Sequence, residues 1–107
     1  MIEQMINHVE KVIRIVLRLG DDVVLQPDSD LVNEIGLDSI EAFEAVATLH
    51  ELMGVRIPDD LDPKALATIA KISHYLVSTY DAAAVQAFLD MDVAARLAEM
   101  DTSSELS

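Results

Sequence analysis

The chain has no cysteine, so it has no disulfide framework and no thiol of its own with which to hold a substrate. Glycine and proline occur only three times each, too rarely to punctuate the many short strands of an all-β fold. Aromatic residues make up 4% of a chain that is 51% hydrophobic, so the core must be aliphatic, built from Ile, Val, Leu, Met and Ala. Bases are scarce too: seven Lys and Arg face twenty Asp and Glu, for a formal net charge of −13. That balance argues against nucleic acid and anionic membrane surfaces and for basic protein partners, although it also serves plain solubility. Acids and bases interrupt the apolar residues of the N-terminus, so neither a signal peptide nor a stable membrane span is expected, and the cytoplasm is the default location. At 107 residues the chain is one domain with a single modest core.

What remains reads as all-α. Residues 2–18 place Ile2, Met5, Ile6, Val9, Val12, Ile13, Val16 and Leu17 at the spacing of a helix with one buried stripe. Arg14 and Arg18 in its last turn suit the helix dipole, and Gly20 is the expected stop. A long loop from Asp21 to Leu37 precedes a second helix, Ser39 to Met53. Asp62-Pro63 opens a brief helix through Leu66, and Thr68 caps another that carries Ile69, Ile72, Leu76 and Tyr80 to an end near Asp81. Residues 82–100 are rich in alanine, but Gln86, Asp92 and Arg96 interrupt any single apolar stripe. Two shorter helices with a break near Asp90–Asp92 fit better. Residues 1–81 are thus expected to form the bundle and 82–101 an added segment packed on it through Val85, Phe88, Leu89, Val93, Leu97 and Met100. Residues 102–107 are expected to be a disordered tail.

The sharpest local signal is Gly36-Leu37-Asp38-Ser39-Ile40 at the mouth of the second helix. Asp38 is a good N-cap, and Glu41 can close a capping box back onto it. Ser39 is therefore presented at the positive end of a helix, where a phosphate is well received. No base, histidine or oxyanion donor lies near it in sequence. The combination indicates a serine that is modified rather than one that attacks. On a helical wheel Ala42, Phe43, Ala45, Val46, Leu49 and Met53 form the core stripe, with His50 at its margin. Ile40, Glu41, Glu44, Ala47, Thr48, Glu51 and Leu52 form the outer face. Three glutamates beside two large aliphatics suit recognition of a basic partner better than simple solvation.

From Asp30 to Leu76 the chain resembles an acyl carrier protein. The family's mark is an Asp-Ser-Leu/Ile/Met tripeptide opening the second helix, met here by Asp38-Ser39-Ile40. Gly36 stands three residues before the serine. After a four-turn helix, Met53-Gly54-Val55-Arg56-Ile57-Pro58-Asp59-Asp60 is similar to the family's Phe-Gly-Ile-x-Ile-Pro-Asp-Glu. The pattern extends over residues 2–80. The resemblance implies an acyl-carrier-like four-helix bundle with a long first loop, a short third helix and one or two extra C-terminal helices. It implies that Leu31, Val32 and Ile35 anchor the loop inside. It implies 4′-phosphopantetheine attached covalently to Ser39 by a phosphopantetheinyl transferase, with Asp38 beside it. The chain would be a monomeric carrier, not an enzyme, serving fatty-acid or related lipid and polyketide biosynthesis. Its acyl synthases and acyltransferases would carry basic patches that meet Ile40, Glu41, Glu44, Ala47, Glu51, Asp59 and Asp60.

His50 and Leu52 depart from the glutamates usual in housekeeping carriers, and Ala47 replaces a larger contact residue. With the extra C-terminal segment, these changes point to a specialised carrier on a dedicated pathway. Two other readings stand beside it. Peptidyl carriers usually place glycine and histidine before the serine, where this chain has Leu37-Asp38, and D-alanyl carriers usually follow the serine with methionine. An acidic helical adaptor without a prosthetic group would use Ser39 only to start a helix. His8, His50 and His74 lack the spacing of a metal site or catalytic pair.

Overall fold

Helix α1 (Ile2–Val16) seals one stripe completely: Met5, Val9, Val12 and Ile13 are buried along it. In this computed structural model, which describes residues 2–20 and 22–106, that stripe meets α2 (Ser39–Met53), α3 (Ile69–Thr79), α4 (Ala82–Leu89) and α5 (Val93–Leu106). A single 3₁₀ turn, Pro63–Leu66, stands where the brief third helix was expected. The described residues contain helices and loops and no strand.

The helix starts follow their capping side chains. The Asp38, Asp62, Thr68 and Asp81 side chains each accept a backbone N–H of the first turn that follows. Asp92 accepts from Ala95 N at 3.2 Å, which opens α5 after the expected break. The end of α1 differs from the expected stop at Gly20. Arg18 takes the left-handed turn, φ +53°, with Arg18 N–H donating to Ile15 O and Leu19 N–H to Arg14 O. Those two bonds make a Schellman closure two residues early, and the Arg14 guanidinium also reaches Gly20 O at 3.2 Å.

The loop before α2 is tied down rather than draped. Leu31 N–H donates to Ala67 O and Ala70 N–H to Pro27 O, so the loop is held to the start of α3. Leu25, Leu31 and Leu37 are buried and Ile35 packs on the core. Val32 does not anchor the loop. The Asp30 carboxylate accepts the N–H groups of Val32 and Asn33, folding residues 30–34 into a tight turn that sends Leu31 inward and its neighbour outward.

Helices α4 and α5 belong to the same core, through Val85, Phe88 and Val93, with Leu89, Met91 and Leu97 packed against it. α4 lies against α1, α2 and α3. This packing corrects the helical wheel of α2. Leu52, assigned to the outer face, is buried at 5% exposure, and Phe43, assigned to the core, is 57% exposed. α2 packs against α4 as well as α1, so more of its surface is covered than a single stripe against α1 would require. α5 runs to Leu106; Ser107 and the side chain of Met100 lie outside the described residues. No helix among the described residues is long and apolar enough to cross a membrane.

Candidate functional site

Gly36 sets the entry to α2 with φ +92°, a conformation in which any side chain would be strained. Leu37 then turns into the core, and Asp38 follows in extended backbone as the N-cap. The Asp38 carboxylate accepts Glu41 N–H at 2.7 Å, and Glu41 Oε1 accepts Asp38 N–H at 3.3 Å, which completes the capping box. The box secures the third N–H of the helix. The N–H groups of Ser39 and Ile40 remain as open donors at its positive end among the described residues. Ser39 is exposed, and its hydroxyl makes no hydrogen bond among the described residues. A polar hydroxyl held rigidly, uncommitted and in solvent is the geometry of an acceptor of a group.

Beside it opens a cleft of about 540 Å³ lined by Ser39, Ala42, Phe43 and Val46 from α2, by Val32 from the loop, and by Ile57, Pro58, Leu61 and Leu66. Its walls are mostly apolar, with Asp30, Asn33 and Lys64 as its polar and charged members. The N–H groups of Asn33 and Val32 hold the Asp30 carboxyl below its ordinary range. Gly54, left-handed at φ +71°, ends α2 and redirects the chain so that Ile57 and Pro58 return to the cleft. Asp59 and Asp60, which follow directly in the chain, are exposed.

The other expected surface residues fall as follows. Ile40 is 77% exposed, Glu44 and Glu51 are exposed, and Glu41 and Ala47 are half-buried. Between Asp22 and Met53 there is no lysine or arginine at all. Val32 and Phe43, which the sequence pattern sends inward, join this surface instead. For Val32 the signal is local, an Asp30 able to accept the N–H groups of the two residues at 32 and 33; Phe43 has no such mark.

His50 has a structural place. It is 1% exposed, with Nδ1 2.8 Å from Val46 O and Nε2 2.8 Å from the Tyr75 hydroxyl. A carbonyl can only accept, so Nδ1 carries a hydrogen. Tyr75 in turn meets Tyr80, whose hydroxyl donates to Arg56 O. Burial first, and then Tyr80, raise the Tyr75 hydroxyl well above its ordinary value. The chain of bonds fastens α2 to α3 and to the segment that carries Ile57 and Pro58. No group of His, Asp or Glu among the described residues is arranged to hold a metal ion.

Residues 5–76 match the family model described as a phosphopantetheine attachment site. The chain is 34% identical over 56 residues to the acyl carrier protein of Syntrophobacter fumaroxidans, an alignment covering 52% of this chain and 68% of that protein. It is 33% identical over 70 residues to the acyl carrier protein of Campylobacter lari, covering 65% and 88% respectively. To the acyl carrier protein of Helicobacter pylori it is 35% identical over 46 residues, covering 43% and 59%. No solved structure matches the chain significantly.

Proposed function

This chain belongs to the phosphopantetheine-attachment family, and from that premise we propose that it is an acyl carrier whose prosthetic arm is joined to Ser39. The observation that carries the reading is the uncommitted Ser39 hydroxyl, fixed by its capping box at the positive end of α2 and opening onto an apolar cleft. The residues present fit the group. Open N–H donors at Ser39 and Ile40 favour a phosphodiester there, and the cleft offers shelter to an aliphatic chain.

Attached phosphopantetheine supplies the thiol that a cysteine-free chain lacks, so that acyl groups are held as thioesters. The chain's own part is to present one hydroxyl, to steer partners with acidic side chains, and to exclude water along the cleft. No histidine lies beside Ser39 among the described residues to act as a general base, which suits a serine that accepts a group rather than one that attacks. Glu44, Glu51, Asp59 and Asp60 attract basic partner surfaces, and Ile40 gives apolar contact on arrival. The partners in this reading are a phosphopantetheinyl transferase and the acyl synthases and acyltransferases of a fatty-acid, lipid or polyketide pathway. The chain acts in the cytoplasm as a monomer.

Intact-mass measurement after incubation with coenzyme A and a broad-specificity phosphopantetheinyl transferase tests the attachment. The parent chain gains one phosphopantetheinyl group and Ser39→Ala gains none. Modification at Ser29 or Ser73, or none with any competent transferase, overturns the assignment.

A further inference from the structure

Presenting a serine and attracting basic partners gives no task to His50, a polar side chain sealed in the core. With Nδ1–H donated to Val46 O, its neutral ring can only accept at Nε2, and the Tyr75 hydroxyl supplies that hydrogen at 2.8 Å. Tyr80 spends its own hydroxyl hydrogen on Arg56 O at 3.1 Å. The two tyrosines are then held together by their rings, nearly perpendicular with centroids 6.0 Å apart. One continuous set of contacts therefore runs from Val46 to Arg56. Both ends belong to the cleft beside Ser39: Val46 lines it, and Arg56 is followed by Ile57 and Pro58, which line it too. The segment that carries this second wall has little else to hold it. Gly54 leaves α2 in left-handed backbone, and residues 55–58 form neither helix nor strand. Val55 N–H donates to His50 O, and Pro58 O accepts from Leu61 N–H. Between those two points the segment's one hydrogen bond among the described residues is the one from Tyr80. A wall with so few bonds yields easily unless it is pinned. Tyr80 is itself secured, as the C-cap of α3 and the neighbour of Asp81, which caps α4.

We propose that His50, Tyr75 and Tyr80 are positioning residues, a tether that holds the Arg56–Pro58 wall in place and so fixes the length of acyl chain that the cleft shelters. The inference rests on the carrier reading above, which supplies the acyl chain but sets no limit to it. In a cleft with pinned walls each further methylene gains shelter until the space is full, and later ones stay in water. Released at Arg56, the wall can swing at Gly54 and give way to a longer chain. The Tyr80 hydroxyl, at the end of the tether, is the atom on which that limit depends.

The test uses the full-length chain. Acyl-coenzyme A in a straight-chain series from butyryl to myristoyl, with a broad-specificity phosphopantetheinyl transferase, places each acyl arm on Ser39. Cleavage of the thioester by hydroxylamine is then timed by intact mass for the parent, Tyr80→Phe, Tyr75→Phe and Phe88→Leu. Tyr80→Phe removes one hydroxyl and keeps the ring, while Phe88→Leu loosens the core at a residue that does not line the cleft. In the parent, cleavage is expected to slow about fourfold for each added methylene and then to level off where the cleft is full. Tyr80→Phe should move that levelling-off to longer chains. Tyr75→Phe should move it less, since the bond to Arg56 O remains, and Phe88→Leu should leave it in place. The unmodified chain gives a second readout by NMR relaxation: backbone order at Arg56 and Ile57 should fall in Tyr80→Phe while that at Val46 holds. A levelling-off at the same or a shorter length in Tyr80→Phe overturns the inference, even if cleavage is faster throughout. So does unchanged order at Arg56 and Ile57, an equal shift in Phe88→Leu, or a parent with no dependence on chain length. In each of those cases the acyl arm is still found on Ser39, and the carrier reading stands. Failure of every acyl-coenzyme A to modify Ser39 removes the carrier reading and this inference with it.

Discussion

Phe88→Ala should cost more than any other single truncation in the C-terminal helices. Phe88 is fully buried in α4, and its ring packs perpendicular to that of His8 from α1 with centroids 4.7 Å apart. Removing a buried phenyl ring costs about 3–5 kcal/mol, from lost transfer energy and the cavity left behind. A domain of this size has on the order of 5–15 kcal/mol in all, so about a fifth or more of the stability is at stake. At about 4 °C per kcal/mol, even the lower figure lowers the melting temperature by about 12 °C. Urea unfolding followed by circular dichroism reads the cost directly, since the midpoint falls while the slope stays constant if the whole domain still unfolds together. A hydrophobic dye added to the folded variant shows whether α4 has lifted away. A loss under about 1 kcal/mol, with no dye binding, would show that α4 and α5 are not part of the core.

Three further outcomes follow from the same packing and charge. Leu52→Glu should strongly destabilise the full chain by burying a carboxylate, yet cost little in a chain ended at Asp81, where α4 no longer packs on α2; equal costs in both would mean that α4 does not bury Leu52. His8 is held below its ordinary value first by burial, with Lys11 acting in the same direction and the backbone carbonyls of Phe88 and Met91 opposing. The unfolded chain therefore takes up the proton first, and stability falls as pH drops below about 6.5. The urea midpoint of the parent should thus fall more between about pH 8 and about pH 5 than that of His8→Gln, and parallel falls would refute the assignment. Asp38→Ala should cost about 1 kcal/mol through the lost cap and also slow modification of Ser39, and unchanged rate and stability would remove Asp38 from the site.

Much of this could be read from the sequence because it is local. Asp38, Ser39 and Glu41 lie within one turn, so their capping box follows from spacing alone, as do the caps at Asp62 and Thr68. The break between α4 and α5 was similarly visible in the polar residues that interrupt the apolar stripe. The phase of α2 was not visible, because periodicity reports an apolar arc but not which neighbours cover its edges. Leu52 and Phe43 lie on opposite sides of α2, and the packing of that helix on α4, which begins thirty residues after Leu52, is not legible from spacing. Val32 is a different case: it is turned outward by the Asp30 carboxylate two residues before it, a local turn signal that periodicity alone overlooks. His50 joins Tyr75 across 25 residues of sequence, a separation at which no spacing rule operates.

Ser39 as the residue that carries the arm on which acyl groups ride is the assignment on which the rest depends. It is tested most directly by charging the phosphopantetheinylated chain with a medium-chain fatty acid, ATP and a broad-specificity ligase, then weighing the intact protein before and after hydroxylamine. One added acyl group is expected on the parent chain, removed by hydroxylamine as a thioester is, and none on Ser39→Ala. An acyl group that appears on Ser39→Ala, that resists hydroxylamine, or that never appears on the parent would contradict it.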